Sequence, residues 1–302
     1  MNLECPFDQA AALLPFELRQ LALALPRAER IVAEEVRLRA GQPVCLTLPE
    51  GEAVLPRSPV LSEQTLRTVL EIATHASAHT ALEQVRRGYV TVAGGHRLGL
   101  CGTAALRDGK VYNLRRLSSV NIRIAREVKG AAEEPVKQLW QEGRMPSVLV
   151  LAPPGGGKTT LLRDMIRCLS SGVAGAPLRV GVADERGELG ALLDGIPQMD
   201  LGAHTDIMDG CGKAEGLMLL LRSMNPQVLA VDEITAPQDI HALETAAGCG
   251  VTLLATAHGS SVEDLARRPL YQRLLEGRIF QALLLIERRA GQRYCRIERL
   301  PC

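Results

Sequence analysis

Residues 147–160 constrain this chain more than any other stretch, and they read SVLVLAPPGGGKTT. Val148 to Leu151 is a short apolar run that predicts a buried strand. From Lys158 to Leu169 apolar residues recur at helical spacing, so a helix is expected after the three glycines. Strand, glycine-rich loop and helix in this order are typical of a phosphate-binding loop in a parallel α/β sheet.

The loop has the composition that a nucleoside triphosphate site needs. Glycines leave backbone N–H groups free to turn toward phosphate oxygens, and the helix N-terminus adds positive partial charge. Lys158 is placed to reach the β- and γ-phosphates, and Thr159 to offer its hydroxyl to Mg²⁺. Ala152 stands at the first glycine position of the usual motif, a small residue that keeps this geometry possible. The residues expected to bind the nucleotide are Pro153, Pro154, Gly155, Gly156, Gly157, Lys158, Thr159 and Thr160.

A second functional signal is a pair of acidic residues that follows another apolar run. Residues 228–231 read VLAV, and Asp232 and Glu233 come directly after them. Beside a phosphate-binding loop, a carboxylate at the end of a neighbouring strand supports the bound Mg²⁺, a role we expect for Asp232 together with Thr159. Glu233 is then placed to orient and deprotonate the water that attacks the γ-phosphate. Hydrolysis, and not binding alone, is therefore predicted.

Further polar groups follow two other predicted strands. Asp184 and Glu185 come after an apolar run, and the carboxyl ends of parallel strands face the ligand crevice. We expect these carboxylates to assist metal or water, with a solvated charged turn as the alternative. His258 ends the run 251–257 and is placed to sense the γ-phosphate or to hydrogen-bond the attacking water. A histidine satisfied within the structure is the alternative for that residue.

The order of local patterns divides the 302 residues into two predicted domains. Residues 1–128 combine hairpin and helix signals without strand–helix alternation, which predicts an α+β N-terminal domain. Residues 129–135, KGAAEEP, are the predicted linker, with Pro135 starting the next helix. Residues 136–302 alternate strands with helices, which predicts the larger α/β domain.

The individual elements are predicted from period and turn residues. In the first domain we expect hairpins over 35–48 and over 89–101, the second turning at Gly94 and Gly95, and strand-like runs at 111–114 and 119–125. A helix from Ser62 to His75 and another from Thr80 to Arg87 are also expected. The predicted parallel strands are 147–152, 178–183, 228–232 and 251–257, with a hairpin over 279–287 and 294–300 at one edge.

Composition narrows the functional classes. A net charge of +1 and an aromatic content of 3% argue against a nucleic-acid partner. No apolar run approaches the roughly 18 residues that span a bilayer, so no direct membrane span is expected. Eight cysteines without a paired spacing indicate reduced thiols in a cytosolic protein.

The nucleotide segments together resemble a known class of enzymes. The phosphate loop, residues 184–188, 228–234 and 254–259 follow one another as in the secretion-type, pilus-retraction-like branch of RecA-fold ATPases. Asp232 stands where those enzymes usually carry glycine, and Thr235 replaces a common arginine. Segments 88–102, 118–126, 205–216 and 222–226 resemble the stage III sporulation protein AA family, and the likeness covers all but about the first thirty residues.

This resemblance implies a RecA-like P-loop ATPase domain with a smaller α+β N-terminal domain, using ATP and Mg²⁺. It implies a homo-oligomer, a hexamer, that serves membrane-embedded sporulation channel proteins between mother cell and forespore. The expected location is the mother-cell cytoplasm, peripheral to the membrane through those partners. Arginines of the N-terminal domain reach a nucleotide across a domain or subunit boundary in such enzymes, which makes Arg97 a catalytic candidate, with Arg123 and Arg126 as alternatives.

Two other functions stay open at this point. Relatives of this fold carry single-strand-binding domains, so a P-loop ATPase linked to single-stranded nucleic acid is one alternative. The other is a nucleotide-gated structural adaptor that binds ATP with little turnover. Salt-dependent stimulation by single-stranded DNA distinguishes the first, and measured phosphate release the second.

Overall fold

A computed structural model describes residues 5–74, 88–289 and 292–300, which form two compact units. The first unit contains the described residues up to Arg126 together with Ala191–Gln198. The second contains Glu127–Gly190 and the described residues from Met199 onward. As domain boundaries, the sequence-based positions 128 and 136 with a linker at 129–135 remain predictions.

The first unit is built on a six-stranded antiparallel sheet in the order β3-β2-β1-β6-β5-β4. The predicted hairpin over 35–48 is confirmed, since Val36 lies opposite Leu46 in neighbouring strands. Strand β3 was not predicted, because its four residues are all exposed and carry no alternating pattern. The strands are β1 Glu35–Arg39, β2 Cys45–Leu48, β3 Gly51–Val54, β4 Tyr89–Thr91, β5 Arg97–Arg107 and β6 Lys110–Arg123.

The hairpin of β5 and β6 is longer than the sequence predicts. The runs at 111–114 and 119–125 belong to one strand, which pairs with β5 down to Arg107 opposite Lys110. Register shifts interrupt the ladder, one of them between Cys101 and Gly102. A Cβ at Gly102 would lie 1.9 Å from the carbonyl oxygen of Arg116, so only glycine permits this close approach. Because these shifts interrupt the alternation of side chains, the sequence pattern did not predict that 111–114 and 119–125 form one continuous strand.

Helices cover the core of the first unit. Ser62 caps α4 as predicted, because its Oγ accepts a hydrogen bond of 3.1 Å from the backbone N–H of Thr65. The predicted end of that helix at His75, and the predicted helix from Thr80 to Arg87, lie outside the described residues. The described helices are α1 Pro6–Ala11, α2 Phe16–Leu23, α3 Arg27–Val32 and α4 Glu63–Ala73. The largest fully buried side chains of this unit are Phe7, Leu38, Leu46, Leu55, Leu66, Leu98 and Ile122.

The second unit is a seven-stranded sheet in the order β13-β12-β7-β11-β10-β8-β9. All neighbours pair in parallel except β13, which pairs antiparallel with β12 at one edge. The predicted parallel sheet with an edge hairpin is therefore confirmed. The strands are β7 Val148–Ala152, β8 Val180–Asp184, β9 Thr205–Asp209, β10 Val228–Val231, β11 Thr252–His258, β12 Ala282–Arg289 and β13 Gln292–Arg299.

Helices bury both faces of the central strands. In β7, Leu149 and Leu151 belong to one apolar cluster, whereas Val148 and Val150 belong to the cluster on the other face. This two-sided burial explains why the strands read as continuous apolar runs. No helix among the described residues has the length and apolarity to cross a membrane. The helices of this unit are α5 Glu133–Leu139, α6 Lys158–Ser170, α7 Lys213–Ser223, α8 Pro237–Gly248, α9 Val262–Ala266 and α10 Pro269–Glu276.

Two elements of the second unit differ from the sequence-based expectation. Helix α5 begins at Glu133, with Pro135 inside its first turn, whereas Pro135 was expected to start it. Strand β9 was not predicted, because its sequence TDIMD alternates polar and apolar residues too briefly. It forms because the edge of β8 offers a complete parallel ladder, with Val182 opposite Ile207.

One buried histidine makes the stability of the first unit pH-dependent. His96 is fully buried, and its Nδ1 accepts a hydrogen bond of 3.0 Å from the backbone N–H of Ala125. Its Nε2 is buried and has no hydrogen-bond partner among the residues that the structure describes. Because burial disfavours the imidazolium, the pKa of His96 falls from 6.5 to about 4.

We expect the wild type to lose free energy of unfolding as pH falls from 6.5 toward 4, because only the unfolded state takes up the proton of His96 there. The contribution is fully present above the unfolded pKa. Relative to His96→Asn, the advantage of the wild type should shrink by about 2 kcal/mol between pH 7 and pH 5. Urea unfolding at both pH values measures this difference, and an unchanged gap would contradict the assignment.

Candidate nucleotide-binding site

The loop between β7 and α6 has a backbone that requires its glycines. Gly155 and Gly157 have φ of 69° and 98°, in the left-handed region that favours glycine. A Cβ at Gly156 would lie 2.6 Å from the Cβ of Ala152 and 2.9 Å from the carbonyl oxygen of Pro153. Ala152 therefore fills the first glycine position of the motif and packs directly beneath the loop. The conformation turns the start of α6 toward the mouth of this loop, as anion binding requires.

Lys158 is buried at the start of α6, with its ammonium inside the loop. Its Nζ donates to the carbonyl oxygens of Ala152 at 3.1 Å and Pro153 at 3.4 Å, and it lies 2.7 Å from Nδ1 of His258. Burial lowers the pKa of Lys158, while the carboxylates of Asp232 and Glu233 act in the opposite direction. The ammonium is thus held by weak carbonyl partners at the point where a phosphate would supply full negative charge.

Asp232 accepts hydrogen bonds from two hydroxyl groups that belong to different elements. Thr159 Oγ1 on α6 donates to one carboxylate oxygen at 2.6 Å, and Thr256 Oγ1 on β11 donates to the other at 2.5 Å. Threonine hydroxyl and carboxylate oxygens are hard ligands of the kind Mg²⁺ prefers. The structure therefore brings together Thr159 and Asp232, the two residues predicted to support the metal.

Glu233 occupies a strained backbone position at the end of β10. Its φ of 55° lies in the left-handed region, which costs a non-glycine residue of order 1–3 kcal/mol. Its backbone N–H donates to Thr256 Oγ1 at 2.8 Å. Its carboxylate oxygens lie 2.9 Å from His258 Nε2 and 3.1 Å from Arg186 Nη1. His258 consequently bridges Lys158 and Glu233.

Lys213 is a site residue to which sequence reasoning assigned no role. It is buried at the first position of α7, and its Nζ donates to the carbonyl oxygen of Glu233 at 2.7 Å and to Thr235 Oγ1 at 3.2 Å. Glu185 Oε2 lies 3.3 Å from the same ammonium. A lysine following glycines in an arginine-rich chain was the available signal. The Lys213 ammonium therefore holds the carbonyl group of Glu233 in place.

Asp184 serves the loop that follows its own strand. It is buried, and its oxygens accept hydrogen bonds from the backbone N–H groups of Glu188 at 2.8 Å, Leu189 at 3.1 Å and Gly190 at 2.8 Å. Burial raises the pKa of Asp184, and these hydrogen bonds oppose the rise. Arg163 on α6 reinforces the loop by donating to the carbonyl oxygen of Leu189 at 2.9 Å. Asp184 therefore faces backbone donors in this structure.

Two arginines bear on this site, one beside the phosphate loop and one in the first unit. The guanidinium carbon of Arg293 on β13 lies 3.4 Å from the position a Cβ would take at Gly157, so this cation stands over the phosphate loop of its own chain. Sequence reasoning missed it because nothing in the pattern of β13 marks one arginine among several. Arg97 belongs to the first unit, and its guanidinium stacks 4.0 Å from the ring centroid of Tyr89.

Comparisons with known proteins agree with this architecture. The model of the family "Sporulation stage III, protein AA" matches residues 8–296. Stage III sporulation protein AA of Bacillus subtilis (strain 168) is 39% identical over 285 residues, covering 94% of this chain and 92% of that protein. Protein SEEDLING PLASTID DEVELOPMENT 1 of Arabidopsis thaliana is 27% identical over 272 residues, or 89% of this chain and 36% of that protein.

Solved structures show the same fold at low sequence identity. The pilus retraction motor PilT with bound ADP superposes with a TM-score of 0.60 at 18% identity, covering 88% of this chain and 78% of that one. The Legionella pneumophila ATPase DotB gives a TM-score of 0.58 at 16% identity, covering 88% and 76%. The expected fold class, a RecA-like α/β unit with a smaller N-terminal α+β unit, is therefore confirmed.

The surroundings of Asp184 predict a structural effect of its removal. Asp184→Ala leaves three backbone N–H groups, two of them buried, without their acceptor, so we expect the free energy of unfolding to fall by about 3 kcal/mol. Glu276→Ala is the control, because Glu276 is an exposed carboxylate at the end of α10 and its removal should change stability by less than about 0.5 kcal/mol. Chemical unfolding of both variants provides the measurement. Equal stability of the two would refute the loop-holding role.

Proposed function

We propose that this chain, which belongs to the stage III sporulation protein AA family, is an ATP-hydrolysing motor subunit. The observation that carries the proposal is the convergence of Lys158, the Thr159–Asp232 pair and Glu233 at the carboxyl ends of neighbouring parallel strands. Their residue types and order are those that phosphoryl transfer to water needs. The similarity to PilT and DotB supports the fold on which this chemistry would take place.

The chain's residues fit ATP and Mg²⁺. The backbone of Gly155, Gly156 and Gly157 leaves a cradle that side chains would fill, with Pro153, Pro154 and Thr160 flanking it. Lys158 would exchange its carbonyl partners for the β- and γ-phosphates. Thr159 and Asp232 would hold Mg²⁺, which neutralises phosphate charge when bound. Arg293, standing over Gly157, would add a second cation near the diphosphate.

Glu233 is the proposed general base. Its carboxylate is held between His258 and Arg186, while Thr256 and Lys213 hold its backbone N–H and C=O. This fixes a carboxylate beside Lys158, where an attacking water would lie. His258 contacts both Lys158 and Glu233, so it is suited to report phosphate binding at the lysine to the base. Asp184 and Glu185 would act indirectly. Asp184 holds the 185–190 loop, and Glu185 contacts Lys213.

The assembly and setting of the motor are part of the same proposal. A hexamer with nucleotide held between neighbouring subunits would give Arg97 a role as a trans-acting cation. The motor would drive or assemble a channel of membrane-embedded sporulation proteins between mother cell and forespore, from the mother-cell cytoplasm. The family membership supports the sporulation setting, and the low-identity structural neighbours support only the fold.

Glu233→Gln should bind ATP as tightly as the wild type but hydrolyse it at least about 100-fold more slowly, because the base is lost while the phosphate contacts remain. Lys158→Ala should lose nucleotide binding, seen as the absence of a thermal shift with ADP and Mg²⁺. Glu276→Gln, an exposed carboxylate on α10, is the matched control and should keep full turnover. Phosphate release by a coupled assay is the measurement.

The outcomes separate the competing functions. If the wild type binds ATP without measurable phosphate release, the chain is a nucleotide-gated adaptor. If Glu233→Gln hydrolyses ATP at the wild-type rate, Glu233 is not the base. If turnover rises strongly with single-stranded DNA in a salt-dependent way, the nucleic-acid alternative is favoured.

Arg97→Ala should keep ATP affinity within several-fold and reduce turnover sharply, since an arginine on the transferring phosphoryl group contributes roughly 10³-fold or more. Arg19→Ala, an exposed arginine of the same unit, controls for general effects. Mixing Arg97→Ala with Lys158→Ala chains should restore part of the activity, because some subunit pairs then combine an intact Arg97 with an intact loop. Full activity of Arg97→Ala alone would exclude the role and leave stacking on Tyr89 as its function.

A further inference from the structure

The β5–β6 hairpin extends beyond the sheet of the first unit. Strand β1 pairs with β6 only from Ser119 to Arg123, and β4 pairs with β5 only from Arg97 to Gly99. Residues 102–116, here named the arm, therefore form a two-stranded ribbon that no third strand from the described part of the chain joins on either side. Its base is fastened to α4, because Arg67 donates to the carbonyl oxygen of Arg115 at 2.7 Å. Nearly all residues of the arm on β5 are exposed.

The arm collects positive charge without neutralising it. It carries four basic residues and one acidic residue, Asp108, in a chain whose net charge is only +1. Arg107 and Lys110 lie directly opposite each other across the ladder, an arrangement that like charges disfavour. Within residues 5–74, 88–289 and 292–300, none of the arm's basic side chains has an acidic partner within ion-pair distance. The four are Arg107, Lys110, Arg115 and Arg116, all exposed.

The tip adds apolar surface next to these charges. Leu106 is 67% exposed and Val111 is 43% exposed, and the two are cross-strand partners beside the Arg107–Lys110 pair. One alternative explanation is that basic residues on edge strands have the single role of preventing pairing with other strands. That explanation does not account for two aliphatic side chains held in solvent at the same tip. An aliphatic pair that adjoins Arg107 and Lys110, neither of which has an acidic partner among the described residues, matches a surface that is anionic outside and apolar just beneath.

We propose that the arm binds the surface of an anionic lipid bilayer, with Leu106 and Val111 entering the interface and the four cations contacting lipid phosphates. Each basic side chain near such a surface strengthens binding roughly fivefold, and exposed aliphatic groups add burial in the acyl boundary. A nucleic acid would use the cations but not the aliphatic pair, and the arm offers no aromatic platform beyond Tyr112. The proposal is independent of the nucleotide site and can fail separately from it.

Flotation of the full chain with phosphatidylglycerol-containing vesicles tests the proposal. The wild type should float with these vesicles, not with phosphatidylcholine vesicles, and added salt should weaken binding. Arg107→Glu with Lys110→Glu should weaken partitioning about tenfold or more, since two cations of the arm are reversed. Arg19→Glu with Arg27→Glu makes the same charge change on exposed positions of α2 and α3 and should leave binding within about twofold of the wild type.

A second measurement reports on the apolar tip. Leu106→Trp adds an indole to a chain with a single tryptophan, and its emission should shift to the blue with anionic vesicles only. Leu106→Ser with Val111→Ser should weaken flotation while leaving every charge in place. Equal loss in both charge-reversal pairs, equal binding to phosphatidylcholine, or binding of duplex DNA without binding of vesicles would each overturn the proposal.

Discussion

Burial of both faces of the central strands is the constraint on which the candidate site depends. β7, β8, β10 and β11 are apolar along almost their whole length because helices cover each side of the sheet. Polar side chains therefore lie mainly where a strand ends, with Thr256, buried two positions before the end of β11, as the exception. Asp184, Asp232 and His258 stand at these ends or directly after them, and the parallel order brings their carboxyl ends to one edge. The chemistry of the site thus follows from packing.

Two buried ammonium groups organise this edge. Lys158 and Lys213 are 7% and 6% exposed, and a buried charge is tolerated only with close partners. Lys158 takes loop carbonyls and His258, whereas Lys213 takes the carbonyl oxygen of Glu233 and the carboxylate of Glu185. Thr256 accepts a hydrogen bond from the backbone N–H of Glu233, and Lys213 donates to its carbonyl oxygen. These two hydrogen bonds fix the backbone of Glu233 and explain how its left-handed conformation persists.

The first unit shows how whole-chain composition can conceal a local asymmetry. A net charge of +1 argues against anionic partners when it is averaged over 302 residues. The hairpin register places Arg107 opposite Lys110 at the tip of the arm, where Asp108 is the one acidic residue among residues 102–116 against four basic ones. Charge balance elsewhere, as in the pair of Arg67 with Glu63, hides this cluster from any count of residue types.

The sequence by itself determined the phosphate loop and the parallel direction of the strands, and it predicted Thr159 and Asp232 as metal ligands, because each of these is marked by a pattern contiguous in the chain. The contact between those two side chains, 73 positions apart, was decided by the fold. Glycines, apolar runs and a carboxylate after a strand are local signals whose physical meaning changes little with context. The turn at Gly94, with φ of 77°, and the cap at Ser62 were predictable for the same reason.

Only the tertiary structure decided the partners that come from distant segments. Lys213 meets Glu233 across 20 positions, and Arg293 reaches Gly157 from the opposite end of the second unit's sequence. Asp184 turned to the backbone of its own loop because burial left three N–H groups that needed an acceptor. Neither spacing nor residue type specifies such contacts, since they arise when the sheet and its helices pack and every buried polar group must find a partner.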